Sequence, residues 1–115
     1  MTRLEVPSGL KTFAEFWPYY VREHLDPTCR RLHFIGTTLV FGTAIVACVS
    51  GQWWGLLLMP VFGYSFAWVG HLKFEGNKPA TWKYPFFSLA GDFVMYFKIL
   101  TKTMDADLAK ARANS

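Results

Sequence analysis

The three histidines of the chain are its most promising residues for chemistry. They are His24, His33 and His71. Imidazole nitrogens bind zinc and non-haem Fe(II), and three of them with a carboxylate and open coordination positions suit either metal. The nearest acidic residues are Asp26, Glu75 and Asp92. Glu75 stands one helical turn beyond His71, which puts both side chains on one face. These residue types predict a metal site, provided that the fold brings the histidines together.

Two apolar runs predict where His33 and His71 lie. They cover residues 32–50 and 53–72, contain no acidic residue, lysine or arginine, and are separated by a break of only two residues. Each run is about 20 residues long, which spans the roughly 30 Å hydrocarbon core of a bilayer as a helix. Because unpaired backbone in lipid costs several kcal/mol per group, the runs are predicted to fold back as a transmembrane hairpin. Both histidines would then lie about 27–28 Å from the turn, at one depth.

Small residues predict that the two hairpin helices approach each other closely. Gly63 and Ala67 precede His71 at intervals of four residues and form a stripe on the second helix. Gly36, Val40 and Ala44 form a comparable stripe on the first helix. Such stripes let helix backbones come together in a membrane. We therefore expect the stripes to bring the two imidazoles of the hairpin face to face.

The formal net charge is +4, and its placement predicts the orientation of the hairpin. Basic residues flank the open end, whereas the closed end is uncharged; they are Arg22, Arg30, Arg31, Lys73, Lys78 and Lys83. By the positive-inside rule, the open end and both termini face the cytoplasm. The membrane would be the inner membrane of a bacterium or the endoplasmic reticulum of a eukaryote. Because such a charge belt suits lipid headgroups, nucleic acid is not an expected partner.

The remaining signals predict a single all-α membrane domain over residues 1–115. An amphipathic helix is expected over residues 12–25, where Thr12 and Glu15 fit a capping box. The aromatic residues of this helix recur at intervals of three and four and form one face. Such a face suits a membrane interface, and His24 lies at its end.

Helix boundaries follow from the caps and breaks further along the chain. Asp26 and the proline after it predict that the first transmembrane helix covers 27–50, and the second is expected over 53–75. A third apolar helix with its tail is predicted over 85–112. It is short for a crossing and carries ions, so it is expected to be interfacial or half-inserted.

Three segments resemble a known family. They are EHLDPTCRRLHFIGT, GYSFAWVGHLKFEGNKPAT and KYPFFSLAGDFVMY. They are similar to the small integral membrane proteins of the 2-hydroxy-palmitic acid dioxygenase-like family, and the resemblance covers roughly residues 12–100. The H-x8-H spacing and the GHxxFE block carry most of it. Cys29 stands where the family is expected to have asparagine, so no polar role is carried over to that position.

The resemblance implies an Fe(II)-dependent dioxygenase of fatty-acid α-oxidation. Its substrates would be dioxygen and a 2-hydroxy fatty acid, which would be cleaved to the acid one carbon shorter while its chain stays in the lipid bilayer. Together with the histidine pattern, it predicts that His24, His33 and His71 bind the iron. Glu75 or Asp92 would act as the supporting catalytic carboxylate.

Basic residues at the open end could orient the carboxylate of such a substrate. The candidates for substrate binding are Arg30, Arg31 and Lys78, although lipid headgroups would attract the same side chains. Two other functions fit the residues. One is a haem protein with His33 and His71 as axial ligands, and the other is a non-enzymatic membrane adaptor or lipid-binding protein.

Overall fold

The computed structural model describes residues 7–113, and the described part is all-α, as predicted. Five α-helices form it: α1 (Phe13–Arg22), α2 (Pro27–Ser50), α3 (Leu58–Val69), α4 (Pro85–Leu100) and α5 (Met104–Ala113). Shorter turns link them: 3-10 turns at Trp53–Leu57 and Ala80–Trp82, and a π-helical turn at Gly70–Glu75. Residues 1–6 and 114–115 of the predicted 1–115 domain lie outside the described part.

Side-chain caps set the start of the first two helices. Thr12 Oγ1 accepts a hydrogen bond from the Glu15 amide at 3.1 Å, which begins α1. Asp26 Oδ1 accepts from the Thr28 and Cys29 amides at 2.8 and 3.1 Å, which begins α2. The helix α2 has the predicted bounds, whereas α1 ends at Arg22, before the expected residue 25.

The hairpin consists of α2, the 3-10 turn, α3 and the π-helical turn, and it is long and apolar. Its two segments, Pro27–Ser50 and Trp53–Glu75, are long and apolar enough to cross a membrane. Only 22% of the residues in the most apolar window of each segment are buried. Gly51 reverses the chain between the segments in the left-handed conformation, with φ of 74°, which glycine adopts without steric cost.

Among the glycines of the hairpin, Gly36 and Gly70 have the closest neighbours on the opposite segment, closer than those of Gly63. A Cβ atom on Gly36 would lie 3.0 Å from the Phe66 Cβ, and one on Gly70 would lie 2.9 Å from the Cys29 Sγ. A Cβ atom on Gly63 would meet its nearest neighbour at an ordinary 3.4 Å. The prediction of a close approach at Gly36 on the first helix is therefore confirmed. On the second helix the tightest contact is at Gly70, one to two turns away from the predicted Ala67 and Gly63.

The helices α1, α4 and α5 form a second region, here named the base, which has its own buried core. Its fully enclosed side chains are Phe16, Tyr20, Met95 and Leu108, with exposures of 0 to 2%. The third helix was expected to continue into its tail up to residue 112, which is wrong, because the chain breaks between α4 and α5. Lys102 takes a left-handed φ of 61°, and the Thr103 amide donates to the Lys98 carbonyl at 2.8 Å. This Schellman turn ends α4 and lets α5 pack back on α1.

Candidate metal centre

The turn after α1 brings His24 into the protein interior. Its Nδ1 donates to the Tyr20 carbonyl at 2.5 Å, and its ring stacks on the Tyr20 ring with centroids 4.0 Å apart. Arg30 holds the same turn, since its guanidinium donates to the carbonyls of His24 and Leu25 at 2.9 and 2.8 Å. Only 1% of His24 is exposed.

His33 lies on α2, two turns after the Asp26 cap. Its Nδ1 donates to the carbonyl of Cys29, one turn earlier, at 2.8 Å. The Cys29 side chain lies in contact with Gly70, so the two segments of the hairpin meet next to His33. The side chain of His33 is buried, and its orientation is fixed by its own helix.

His71 lies in the π-helical turn Gly70–Glu75, a rare conformation that occurs often at functional sites. Gly76 then reverses the chain with φ of 69°, which returns Asn77 to the imidazole. The His71 Nδ1 donates to the Asn77 Oδ1 at 2.7 Å, and the side-chain Nδ2 of Asn77 donates to the Glu23 carbonyl at 3.2 Å. Asn77 therefore ties His71 to the base. The sequence reasoning missed it, although the Gly-Asn pair that ends the helix marks the turn.

The three imidazoles converge on one point. Their ring centroids are 4.4 to 5.0 Å apart and their planes are nearly perpendicular, with angles of 80 to 89°. One ligand atom from each of the three lies within 4.8 Å of the others. The Nε2 atoms of His24 and His33 are 3.2 Å apart, close to the about 3.0–3.4 Å expected for two nitrogens bound about 2.1 Å from one metal.

The hydrogen bonds of the rings also favour a cation at this point. Each Nδ1 faces an oxygen and is therefore inferred to carry the proton, which leaves each Nε2 as an acceptor. Two acceptors 3.2 Å apart cannot bond to one another, whereas a metal ion between them would satisfy both. Burial lowers the pKa of His24 well below its usual value, and the neighbouring imidazoles of His71 and His33 lower it further. His24 is thus neutral at neutral pH, as a metal ligand must be.

The carboxylates lie around the histidines and bond to other groups. Within the described part, the close group of ligand atoms consists of three imidazoles. Glu75 is buried and its Oε1 accepts from the Asp26 amide at 2.5 Å, which fastens the start of α2 to the end of the hairpin. Asp92 accepts from the Tyr20 hydroxyl at 2.5 Å. Burial raises the pKa of Asp92 to about 7.

The predicted basic residues take different positions. Arg30 is partly buried and fixes the turn that carries His24. Arg31 and Lys78 are exposed at the open end of the hairpin. The structure therefore gives Arg30 a role in supporting the histidine cluster, and leaves the other two side chains accessible to an anionic group.

The arrangement of His33 and His71 does not suit axial ligation of a haem. Two imidazoles on opposite faces of a haem iron, each nitrogen about 2 Å away, would place the ring centroids roughly 6 Å apart or more. The observed centroids are 5.0 Å apart, and His24 packs against both rings. The cluster suits a small ion instead.

Comparison with known proteins agrees with the resemblance found in the sequence. The sequence model described as 2-hydroxy-palmitic acid dioxygenase Mpo1-like matches residues 10–104. The chain therefore belongs to this Mpo1-like family. No curated protein and no solved structure gives a significant match. All three histidines lie within the matched range.

Proposed function

We propose that this member of the Mpo1-like family is an integral membrane protein that binds Fe(II) through His24, His33 and His71 and shortens 2-hydroxy fatty acids with dioxygen. The observation that carries the proposal is the convergence of three buried imidazoles, each with its Nδ1 bonded to an oxygen atom. The family description supports the substrate class.

The exposed faces of the hairpin support its insertion in a bilayer. Large apolar side chains cover these faces, and Trp53 and Trp54 lie at the closed end, where tryptophan favours a membrane interface. The basic residues lie at the open end, so we place that end and both termini on the cytoplasmic side. A metal at the open end would meet the carboxyl group of a fatty acid near the headgroups while the chain remains among the lipid tails.

The proposed reaction balances without a further reductant. A 2-hydroxy acid and dioxygen give the acid one carbon shorter, carbon dioxide and water; the C1–C2 bond breaks and four electrons pass from the substrate to dioxygen. Bound Fe(II) would supply the activation of dioxygen and the chelation of the hydroxyl and carboxylate groups. The protein contributes three fixed nitrogen donors and a site shielded from water.

We assign supporting roles to the residues around the ligands. Glu75 would hold the start of α2 against the π-helical turn, and Asp92 would hold Tyr20, whose ring stacks on His24. Arg31 and Lys78 would attract the carboxylate from the membrane surface, since both are exposed at the open end.

The direct test is turnover by the purified full-length protein. The protein would be purified without oxygen, loaded with Fe(II) in lipid nanodiscs and given 2-hydroxypalmitate and dioxygen. We expect oxygen uptake with equal amounts of pentadecanoate and carbon dioxide. Iron-loaded protein that takes up no oxygen with any 2-hydroxy acid would refute the proposed reaction, and a Soret band would instead show a haem protein.

A further inference from the structure

A cavity of about 310 Å³ opens beside His33, between the hairpin and α4. His33 and Asp92 form its polar end, and Thr37 adds a hydroxyl group. The rest of the lining is mostly apolar and includes Val40 and Gly63. The cavity therefore continues the candidate metal centre into an apolar space.

The dimensions of the cavity follow from the helices that line it. From His33 to Val40 is two turns of α2, about 10 Å, and from Ala67 back to Met59 is about 12 Å along α3. Its volume is at the lower end of the about 300–1,000 Å³ typical of pockets that hold small organic molecules. The cavity is thus long enough for part of a hydrocarbon chain and too small for a whole lipid.

Gly63 keeps this space open. A Cβ atom there would lie 3.4 Å from the Cγ2 of Val40, which also lines the cavity; this is ordinary contact, so an alanine fits. A larger side chain at the same position would project into the lining and fill the space. The absence of a side chain at Gly63 therefore maintains the volume of the cavity, whereas at Gly36 and Gly70 it allows the two helices to pack closely.

We infer that the cavity binds the part of the acyl chain nearest the carboxyl group of the substrate, and that Gly63 determines whether this chain can enter. The inference rests on the proposed function, since a carboxyl group bound at the histidines would direct its chain into this space. The lining supports a hydrocarbon occupant, because it contains no lysine or arginine and Asp92 is its only acidic residue.

A second groove provides a matched control. It lies at the closed end of the hairpin, has a volume of about 400 Å³ and is lined by Gly42 and Gly55 among mainly apolar residues. None of the three histidines lines it. A Cβ atom on Gly42 would meet nothing within 4 Å, so Gly42→Leu adds the same bulk to a hairpin helix away from the cavity.

The test uses photolabelling of the Fe(II)-loaded protein in nanodiscs under argon, so that no turnover occurs. The probe is a 2-hydroxy fatty acid with a diazirine a few carbons from the carboxyl group, and the labelled residues are identified by mass spectrometry. We expect label on Val40 and Met59 that unlabelled 2-hydroxypalmitate displaces. Gly63→Leu should reduce this label on the order of tenfold, because contact with two or more methylenes is lost.

Two further variants keep the result interpretable. Gly63→Ala, which fits without displacement, should give an intermediate reduction, and Gly42→Leu should label like the wild type. Equal labelling of the wild type and Gly63→Leu at equal iron content would overturn the inference, as would label confined to the exposed faces at Val61 and Leu57.

Oxygen uptake by the same samples separates this inference from the proposed function. Displaceable label in the cavity without oxygen uptake would refute the reaction and support the cavity as the chain site. Oxygen uptake with label only on the exposed faces would support the reaction and overturn the cavity inference.

Discussion

The hairpin and the base differ in where their large apolar side chains lie: those of the hairpin are mostly exposed, and several of those in the base are buried. In the hairpin, Val49 and Leu57 are 84% and 75% exposed, whereas Phe16 and Tyr20 in the base are fully buried. The base buries the aromatic side chains of α1 in a core of its own, although Phe86 and Phe97 on the outer face of α4 are 84% and 53% exposed. The hairpin leaves most of its large apolar side chains exposed. The aromatic side chains of α1 thus stabilise the protein through its own core, whereas the exposed apolar side chains of the hairpin would be stabilised by an apolar solvent such as a bilayer.

The candidate metal centre lies where these two regions meet. The hairpin supplies His33 and His71, and the turn that leaves the base supplies His24. Beside the centre the link between the regions is polar, because Asn77 bonds to both His71 and the Glu23 carbonyl. Further along, aromatic pairs such as Phe34 and Tyr96 join α2 to α4. Binding of a metal at the centre should therefore report how well the hairpin and the base are docked.

The largest expected effect comes from removing a ligand from either region. His24→Ala, His33→Ala and His71→Ala should each strip most of the iron and abolish oxygen uptake, because two imidazoles no longer enclose the ion. Membrane insertion should be retained and serves as the control. Full iron and full turnover in His24→Ala would mean that the base contributes no ligand, and a site of two histidines with Glu75 would be the better account.

Glycine substitutions should distinguish the contributions of the two regions to iron binding without changing a ligand. In Gly70→Ala the new Cβ would lie 3.2 Å from the Cys29 Cα, so hairpin backbone must move near two ligands. In Gly91→Ala the new Cβ would lie 2.9 Å from the buried Tyr20 ring, which stacks on His24, so a shift of this ring would disturb one ligand without moving hairpin backbone. We expect the iron dissociation constant to rise more in Gly70→Ala than in Gly91→Ala, with Gly42→Ala unchanged. The reverse order would mean that the base controls the centre.

Loss of the polar link should have a moderate effect. Asn77→Ala removes the acceptor of the His71 Nδ1, and loss of such a partner typically weakens metal binding about 10–100-fold. Asn77→Asp keeps an oxygen in that position and should retain more of the affinity. Metal titration of the two variants measures the difference. Equal affinity of Asn77→Ala and the wild type would show that His71 is oriented by its own turn.

The last prediction concerns folding and not iron binding, namely the stability of the base and its dependence on pH. Burial raises the pKa of Asp92 from 3.8 to about 7, so the folded protein holds this proton more tightly than the unfolded chain. The stability that Asp92 contributes below pH 3.8 is therefore lost as the pH rises towards 7, by up to about 1.4 kcal/mol per pH unit. Thermal unfolding across this range should show the decline in the wild type and a flatter profile in Asp92→Asn. Identical profiles would mean that Asp92 is ionised throughout.

Much of the hairpin could be predicted because its determinants are local. Asp26 and Pro27 set the start of α2, Gly51 sets its end, and the lengths on either side of the turn place His33 and His71 at one depth. These signals act within one or two helical turns, so a single sequence contains them in full.

The features that were missed depend on contacts between segments distant in the chain. Asn77 meets His71 because a π-helical turn and Gly76 together redirect the chain, and no periodicity encodes that path. Gly70 is tight because Cys29 faces it across the hairpin. The break at Lys102 is an exception, because it lies between two threonines, which are weaker helix formers than the alanine-rich tail that follows.

X-ray absorption spectroscopy of the Fe(II)-loaded protein, combined with its iron content, tests the central claim most directly. The account predicts one iron per chain with three imidazole nitrogens in its first coordination shell, and loss of this signal in His24→Ala. A bound iron with two imidazoles or fewer, or a spectrum that His24→Ala leaves unchanged, would contradict a centre shared between the hairpin and the base.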